Sequence, residues 1–170
     1  MSTKVIQTYN YTIRCHQVQQ ECYVTFETVY FENFNDDLFC IDIAIKLDTG
    51  FENQSLGTYH FESFQYESGK VYNVHINDFT LPLAWRSVGL GSFVFHTMFS
   101  LIPKMVRQCP QHISGSLLAS EKSKERDKLW GNLVGHQNLS INKNGEGGFS
   151  GEMRDVGESW KSKLSVSLNR

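Results

Sequence analysis

The stretch VYNVHINDFTLPLAWRSVGLGSFVFHTMFSLI, residues 71–102, changes its hydrophobic period partway along. From Val71 the side chains alternate, with Tyr72, Val74 and Ile76 on one side and Asn73, His75, Asn77 and Leu81 on the other. Period two is a strand signal, and the strand is expected to run to Leu83. Pro82 near its end has no N–H for a ladder, which marks an edge or a bulge. From Gly91 to Ile102 the chain is apolar almost all round, interrupted by His96 and closed by Pro103, which predicts a helix buried against a sheet. Between the two lies Arg86-Ser87-Val88-Gly89-Leu90-Gly91, a glycine turn that follows a strand and opens a helix.

Toward the amino terminus the same alternation recurs in Tyr9–Cys15, Tyr23–Tyr30, Phe39–Leu47 and Tyr59–Tyr66. With Val71–Leu83 these make five strands. Asp48-Thr49-Gly50, the Asn53–Gly57 stretch and Glu67-Ser68-Gly69 provide turn chemistry between the later ones, so consecutive antiparallel hairpins are expected. Toward the carboxyl terminus His112–Ala119 reads as a short strand. Ser123–Val134 reads as a helix with Ser123 as cap, Arg126, Leu129, Trp130 and Leu133 at helical spacing, and Gly135 as stop. Leu139–Asn142 and Phe149–Val156 flank Lys143–Gly148, a loop built around an Asn-Gly turn, and read as a hairpin.

At 170 residues the chain fits one domain of roughly 100–200 residues, and 40% hydrophobic residues with three prolines describe a packed protein rather than a disordered one. The formal charge of −2 excludes a generic polyanion binder, so nucleic-acid binding is not expected without a local basic patch. That small number hides a division. Residues 1–80 hold four Lys and Arg against eleven Asp and Glu, a net −7, and the remaining twelve basic and seven acidic residues give +5. The apolar run Val88–Ile102 falls short of the roughly 20 residues that a membrane helix needs. MSTKVIQTYNYTIR has no continuous apolar core of a signal peptide, and Cys15, Cys22, Cys40 and Cys109 show no C-x-x-C pair. A cytoplasmic location with reduced thiols is the expectation. Cys15, His16 and Cys22 form the one cluster worth testing for metal, with too few ligands for a zinc site, so no metal is expected.

Two glycines in the 86–91 turn allow tight backbone bends that expose successive N–H groups, and the helix dipole adds about half a positive charge there. Such a place suits a phosphate or pyrophosphate. It is neither a P-loop, since no Gly-Lys-Ser/Thr follows, nor G-x-G-x-x-G, since Val94 holds the third glycine position. The same hexapeptide also serves as an ordinary strand-to-helix turn. RSVGLG matches the R/Q-x-x-G-x-G/A pattern of the GNAT superfamily of acyl-CoA-dependent N-acetyltransferases, and the order strand, motif, helix, strand, helix, hairpin from Val71 to Val156 resembles that family's core. Asp127-Lys128-Leu129-Trp130-Gly131-Asn132-Leu133-Val134-Gly135 resembles the helix with an aromatic residue and closing glycine that follows the fifth strand of GNAT proteins. The resemblance covers about half of the chain.

The resemblance implies an α+β fold: one GNAT-like domain over residues 1–170, with helices packed on a mixed, mostly antiparallel central sheet and few or no helices in the amino-terminal half. It implies acetyl-CoA as cofactor, with its pyrophosphate on Val88, Gly89, Leu90, Gly91 and Ser92, and Arg86 and Ser87 beside the phosphates. The splayed strand would offer backbone groups of Leu81 and Leu83 to the pantetheine arm. Ser123 would contact the arm or cap its helix, and Lys122, Lys124, Arg126 and Lys128 would face the adenosine phosphates or solvent.

Amide formation needs a base for the ammonium, a donor to the oxyanion and an acid for the thiolate. His75 is the first candidate base, since an imidazole titrates near neutral pH, and Asp78 is the second. Two departures from the family stand out. Trp130 occupies the usual tyrosine position and its indole N–H is no useful acid, and Arg14–Glu21 has room for at most a short turn where two helices commonly shape the acceptor pocket. The acidic amino-terminal part would attract a cationic amine, as a small molecule or a peptide, and self-association into a homodimer is left open. The alternative is a catalytically degenerate GNAT-like module that binds coenzyme A or a protein partner.

Overall fold

The computed structural model describes residues 2–33, 38–77 and 79–170. The nine strands among them form one sheet: β1 (Ser2–Cys15), β2 (Glu21–Asn33), β3 (Leu38–Asp48), β4 (Asn53–Tyr66), β5 (Gly69–Asn77), β6 (Gln111–Leu117), β7 (Leu139–Ile141), β8 (Gly147–Glu152) and β9 (Leu164–Asn169). Their order is β7-β8-β6-β5-β4-β3-β2-β1-β9, mostly antiparallel, with β5 and β6 parallel. The helices α1 (Leu90–Leu101), α2 (Lys104–Arg107) and α3 (Lys124–Val134) all follow β5. The fold is therefore α+β with an amino-terminal half made of strands, as the sequence periodicity indicates.

The chain packs as two compact units. The first comprises Met1–Glu62, Ile76–Leu90 and Ser159–Arg170. Its strands β1 and β2 pair from Ser2↔Asn33 to Arg14↔Glu21, joined by a turn with no helix. One sheet face is covered, so burial alternates: Cys22, Val24 and Phe26 on β2 and Ile41, Ile43, Ile45 and Leu47 on β3 are fully buried. Burying each of the large aliphatic side chains contributes about 1.5–3 kcal/mol. Thr28 continues this buried row, and its hydroxyl donates to the Gln7 carbonyl at 3.3 Å. The β3–β4 register shifts between Ile45 and Lys46, opposite Gly57. Gly57 has φ +131°, and a Cβ there would lie 2.9 Å from the Asn77 carbonyl oxygen. The missing side chain lets the segment after β5 pass close to β4, where Thr80 N–H donates to the Leu56 carbonyl at 3.3 Å.

That passage corrects one expectation. The strand from Val71 ends at Asn77, not Leu83. Phe79 turns onto Tyr59, with ring centroids 6.5 Å apart, and Leu83–Trp85 form a single 3₁₀ turn preceded by Pro82. With no N–H to give a ladder, Pro82 sits outside the sheet. Leu81 and Leu83 thus lie in the connection to α1, not on a strand.

The second unit comprises Ser63–His75 and Gly91–Glu158. Strand β6 runs parallel to β5 through Tyr72↔Gln111, Asn73↔His112 and Val74↔Ile113, and antiparallel to β8 from His112↔Glu152 to Leu117↔Gly147. The 123–134 helix forms as its signals indicate: Ser123 Oγ accepts from Arg126 N–H at 3.0 Å, and Gly135 at φ 92° ends it with its N–H on the Gly131 carbonyl at 2.8 Å. The Asn-Gly loop also forms, Asn142 Oδ1 accepting from the N–H groups of Asn144 and Glu146. Strand β8 stops at Glu152, short of Val156: Met153 N–H still reaches the Gln111 carbonyl of β6 at 2.7 Å, and beyond it the backbone turns to α3. Arg154 N–H donates to the Leu133 carbonyl at 2.9 Å. The core of this unit gathers Phe93, Val94, Phe95, Met98, Trp130, Leu133 and Phe149.

Candidate functional site

The glycine turn leaves the Leu83–Trp85 turn with Trp85 buried as an anchor. Arg86 is extended, and its Nε–H folds back to donate to the Leu81 carbonyl at 2.9 Å. Ser87 has φ 63° and Gly89 has φ 96°, with Val88 buried between them. A left-handed non-glycine residue such as Ser87 costs of order 1–3 kcal/mol, so the turn is held against its own backbone preference. Leu90 begins α1 fully buried, Gly91 is buried, and Ser92 is half-buried on the first turn. Left-handed positions next to a helix start are a backbone pattern in which successive N–H groups can converge on an anion.

The carboxyl-terminal segment shapes the same turn. Trp160 Cβ and Lys163 Cβ each lie 3.5 Å from where a Cβ on Gly89 would stand. Lys163 Nζ donates to the Ser87 carbonyl at 3.2 Å. Lys163 and the strand that follows it had escaped the periodicity reading, although Leu164, Val166 and Leu168 carry the alternation of β9. Nothing in the sequence pairs Lys163 with a turn 76 residues before it; only the fold does.

On β5, Tyr72 and Val74 are buried while His75 is exposed on the face it shares with Asn73 and Asn77. His75 is thus reachable from solvent at the end of the parallel ladder, which stops at Val74↔Ile113 although β5 continues to Asn77 and β6 to Leu117. Asp78 lies outside the described residues. Leu81 is half-buried and Leu83 is 81% exposed.

Ser123 spends its hydroxyl on capping α3. Arg126 turns inward, donating to the carbonyls of Leu118 and Gly145 at 2.7 and 2.8 Å and pairing with Asp127 at 2.7 Å, so its guanidinium is a structural tie between α3 and the hairpin loop. Lys122 likewise donates to the Lys143 carbonyl at 2.8 Å. Of the four cations flanking that helix, Lys122, Lys124 and Lys128 are exposed, and Arg126 is half-buried. Trp130 is 9% exposed, stacked on Phe149 at 4.6 Å and tilted against Phe95 at 5.2 Å. It is a core residue.

The carboxylate contacts of His96 and His60 stand apart from the sequence motif. His96, the polar interruption in α1, has Nδ1 2.7 Å from Asp155 and Nε2 3.5 Å from Glu158. His60 on β4 lies 2.5 Å from Asp42 on β3, directly across the ladder. Burial, with Cys15 and Glu21 nearby, pushes the Cys22 thiol up to about 12, and burial beside Glu62 and Asp42 raises Cys40. Burial of this kind disfavours the thiolate, the form in which a cysteine acts as a nucleophile. Among the described residues no group of three His, Cys, Asp or Glu could hold a metal ion, and no described helix is long and apolar enough to cross a membrane.

Comparison of the chain with models of protein families, with curated proteins and with solved structures finds no match.

Proposed function

We propose that the chain is an N-acetyltransferase that moves an acetyl group from acetyl-CoA to a primary, cationic amine. The observation that carries the reading is the joining of two parallel strands through the 86–91 turn and α1, with a ladder that closes after three pairs. Strands that stop pairing leave backbone donors and acceptors for an extended ligand, and the glycine turn that follows β5 in the chain has the backbone pattern that favours phosphate. The residues present fit a ligand that carries pyrophosphate: two left-handed positions in the turn, Arg86 beside it and Lys163 on it.

Acetyl-CoA supplies an activated carbonyl carbon. The amine nitrogen bonds to that carbon, the carbon–sulfur bond breaks, and the thiolate leaves with a proton from solvent. His75, exposed on β5, is the group that takes the proton from the incoming ammonium. Asp78 is kept as the second candidate base. The acidic strands of the first unit suit a cationic acceptor.

One observation favours a second reading, a coenzyme A-binding module without turnover: Trp130 is sealed in the core by Phe95 and Phe149 where the resembling family places an acid. Thermal unfolding with coenzyme A tests what the two readings share, since ligand at about 100 times its dissociation constant stabilises by roughly 2.7 kcal/mol. No shift at millimolar coenzyme A would overturn both. Coenzyme A release from acetyl-CoA over a panel of amines separates them, turnover supporting the transferase and binding alone the module.

A further inference from the structure

Lys163 is fixed from two directions. Its backbone N–H donates to the Trp160 carbonyl at 2.9 Å, and its carbonyl accepts from His16 N–H at 2.9 Å, in the turn that joins β1 to β2. The His16 ring adds contacts at 3.3 Å to the Ser162 carbonyl and 2.7 Å to Ser165 Oγ. Its stem lies across Gly89, with Cβ and Cδ 3.5 and 3.6 Å from the position of an added Cβ. Among the described residues the ammonium has no carboxylate partner; it rests on the carbonyl of Ser87. Lys163 is exposed to solvent, as a lysine ordinarily is, but the fold anchors its stem over Gly89 and brings its ammonium onto the Ser87 carbonyl of the glycine turn.

We propose that Lys163, which lies outside the glycine motif, is the charge that recognises the phosphates of the ligand in the 86–91 turn, its Nζ moving from the Ser87 carbonyl to a phosphate oxygen on binding. The proposal rests on the coenzyme A reading above and adds a binding residue that the motif does not contain. It assigns the ligand to the phosphate-bearing class, because a neutral arm gives the ammonium nothing better than the carbonyl it already has.

The test is calorimetric titration of coenzyme A into the full chain and into its Lys163→Gln and Lys163→Arg variants, at low and high salt, with the ligand-free unfolding midpoint of each. A charge-assisted hydrogen bond lost from the complex lowers affinity about 10- to 100-fold. The expected result is that loss for Lys163→Gln, near-normal binding for Lys163→Arg, unchanged midpoints, and a weaker salt dependence for the glutamine variant. Equal affinity and equal salt dependence in Lys163→Gln overturn the role of Lys163 and leave the turn as the ligand site. A fall in affinity that tracks a lower midpoint and keeps the normal salt dependence makes the lysine a structural prop, which also overturns the proposal. No binding to the unaltered chain removes the coenzyme A reading, and the role of Lys163 with it.

Discussion

Gly89 offers a substitution pair in which backbone cost and charge separate. Its φ of 96° is in the region that side chains rarely adopt, while an added Cβ would meet only ordinary contacts at 3.5–3.6 Å with Trp160 and Lys163. The cost of a side chain there is therefore conformational, about 1–2 kcal/mol, and asparagine and aspartate bear it better than other residues. At this chain length that lowers the unfolding midpoint by about 2–8 °C, so both variants remain folded. Gly89→Asn and Gly89→Asp have nearly the same shape, and only the second adds a negative charge. Two unit charges 4 Å apart in a water-like dielectric interact by about 1 kcal/mol, and a pyrophosphate presents two, so the aspartate weakens coenzyme A binding by about 2 kcal/mol, or thirtyfold, relative to the asparagine. The added carboxylate also projects toward the Lys163 stem, so without ligand Gly89→Asp is at least as stable as Gly89→Asn. Calorimetric titration with coenzyme A and thermal unfolding measure the two halves of the prediction. Equal affinity in the two variants refutes the assignment of the turn as the phosphate site.

His75→Ala is expected to flatten the alkaline-going limb of the pH–rate profile and leave coenzyme A affinity unchanged; an unaltered profile removes His75 as the base. Gly57→Ala meets the Asn77 carbonyl at 2.9 Å and a φ of +131°, so it destabilises by more than the 1–2 kcal/mol expected at Gly89, and a urea unfolding midpoint equal to that of Gly89→Ala contradicts the close passage of the chain there. Phe149→Ala removes the ring stacked on Trp130 at 4.6 Å and costs about 3–5 kcal/mol, read from the same unfolding curves. For Cys22 the folded thiol holds its proton more tightly, at about 12 against an ordinary 9.0. The unfolded chain ionises first, so this group's contribution to stability is full below pH 9 and is lost as pH rises toward 12. Thiol labelling at pH 8 should modify Cys22 in unfolded chains alone, and rapid native labelling contradicts its burial.

The strands of the first unit were legible because each of β2 and β3 is covered on one face, which writes burial into the sequence as alternation: Ile41, Ile43, Ile45 and Leu47 inside, Asp42, Ala44 and Lys46 outside. Helix α3 was legible because its cap and stop are local chemistry, from Ser123 to Gly135. The end of β5 was not. Phe79 and Leu81 continue the alternation beyond Asn77, and what ends the strand is the near approach of Gly57, a long-range event with no local mark. The glycine turn could be placed, as could His75 on its outward face, but not the partners of the turn. A lysine among Lys161, Ser162 and Lys163 looks like any exposed tail residue until β9 pairs with β1 and lays it over Gly89.

The division of charge along the sequence takes on a different meaning in three dimensions. Counted along the chain, the acidic part stops near residue 80 and the basic part follows, as if the amine site and the cofactor site belonged to separate halves. The first unit combines pieces of both, because Ile76–Leu90 and Ser159–Arg170 join the amino-terminal strands. Arg86 and Lys163, the two cations at the turn, thus belong to the same unit as the outward-facing Glu27, Asp42 and Glu62. A cation that must hold phosphate works best without a carboxylate beside it, and the absence of a carboxylate partner for Lys163 among the described residues meets that requirement inside an acidic unit. Under the proposed reading, the unit whose acidic residues would face an amine therefore also keeps an ammonium without a carboxylate partner at the turn. Affinity for coenzyme A should accordingly depend on Lys163 and Arg86 and be insensitive to charge removal on the meander, so that Glu27→Gln binds coenzyme A as the unaltered chain does. Coenzyme A binding strengthened by that distant substitution as much as it is weakened by Lys163→Gln would mean that total charge, rather than the placed cation, governs recognition.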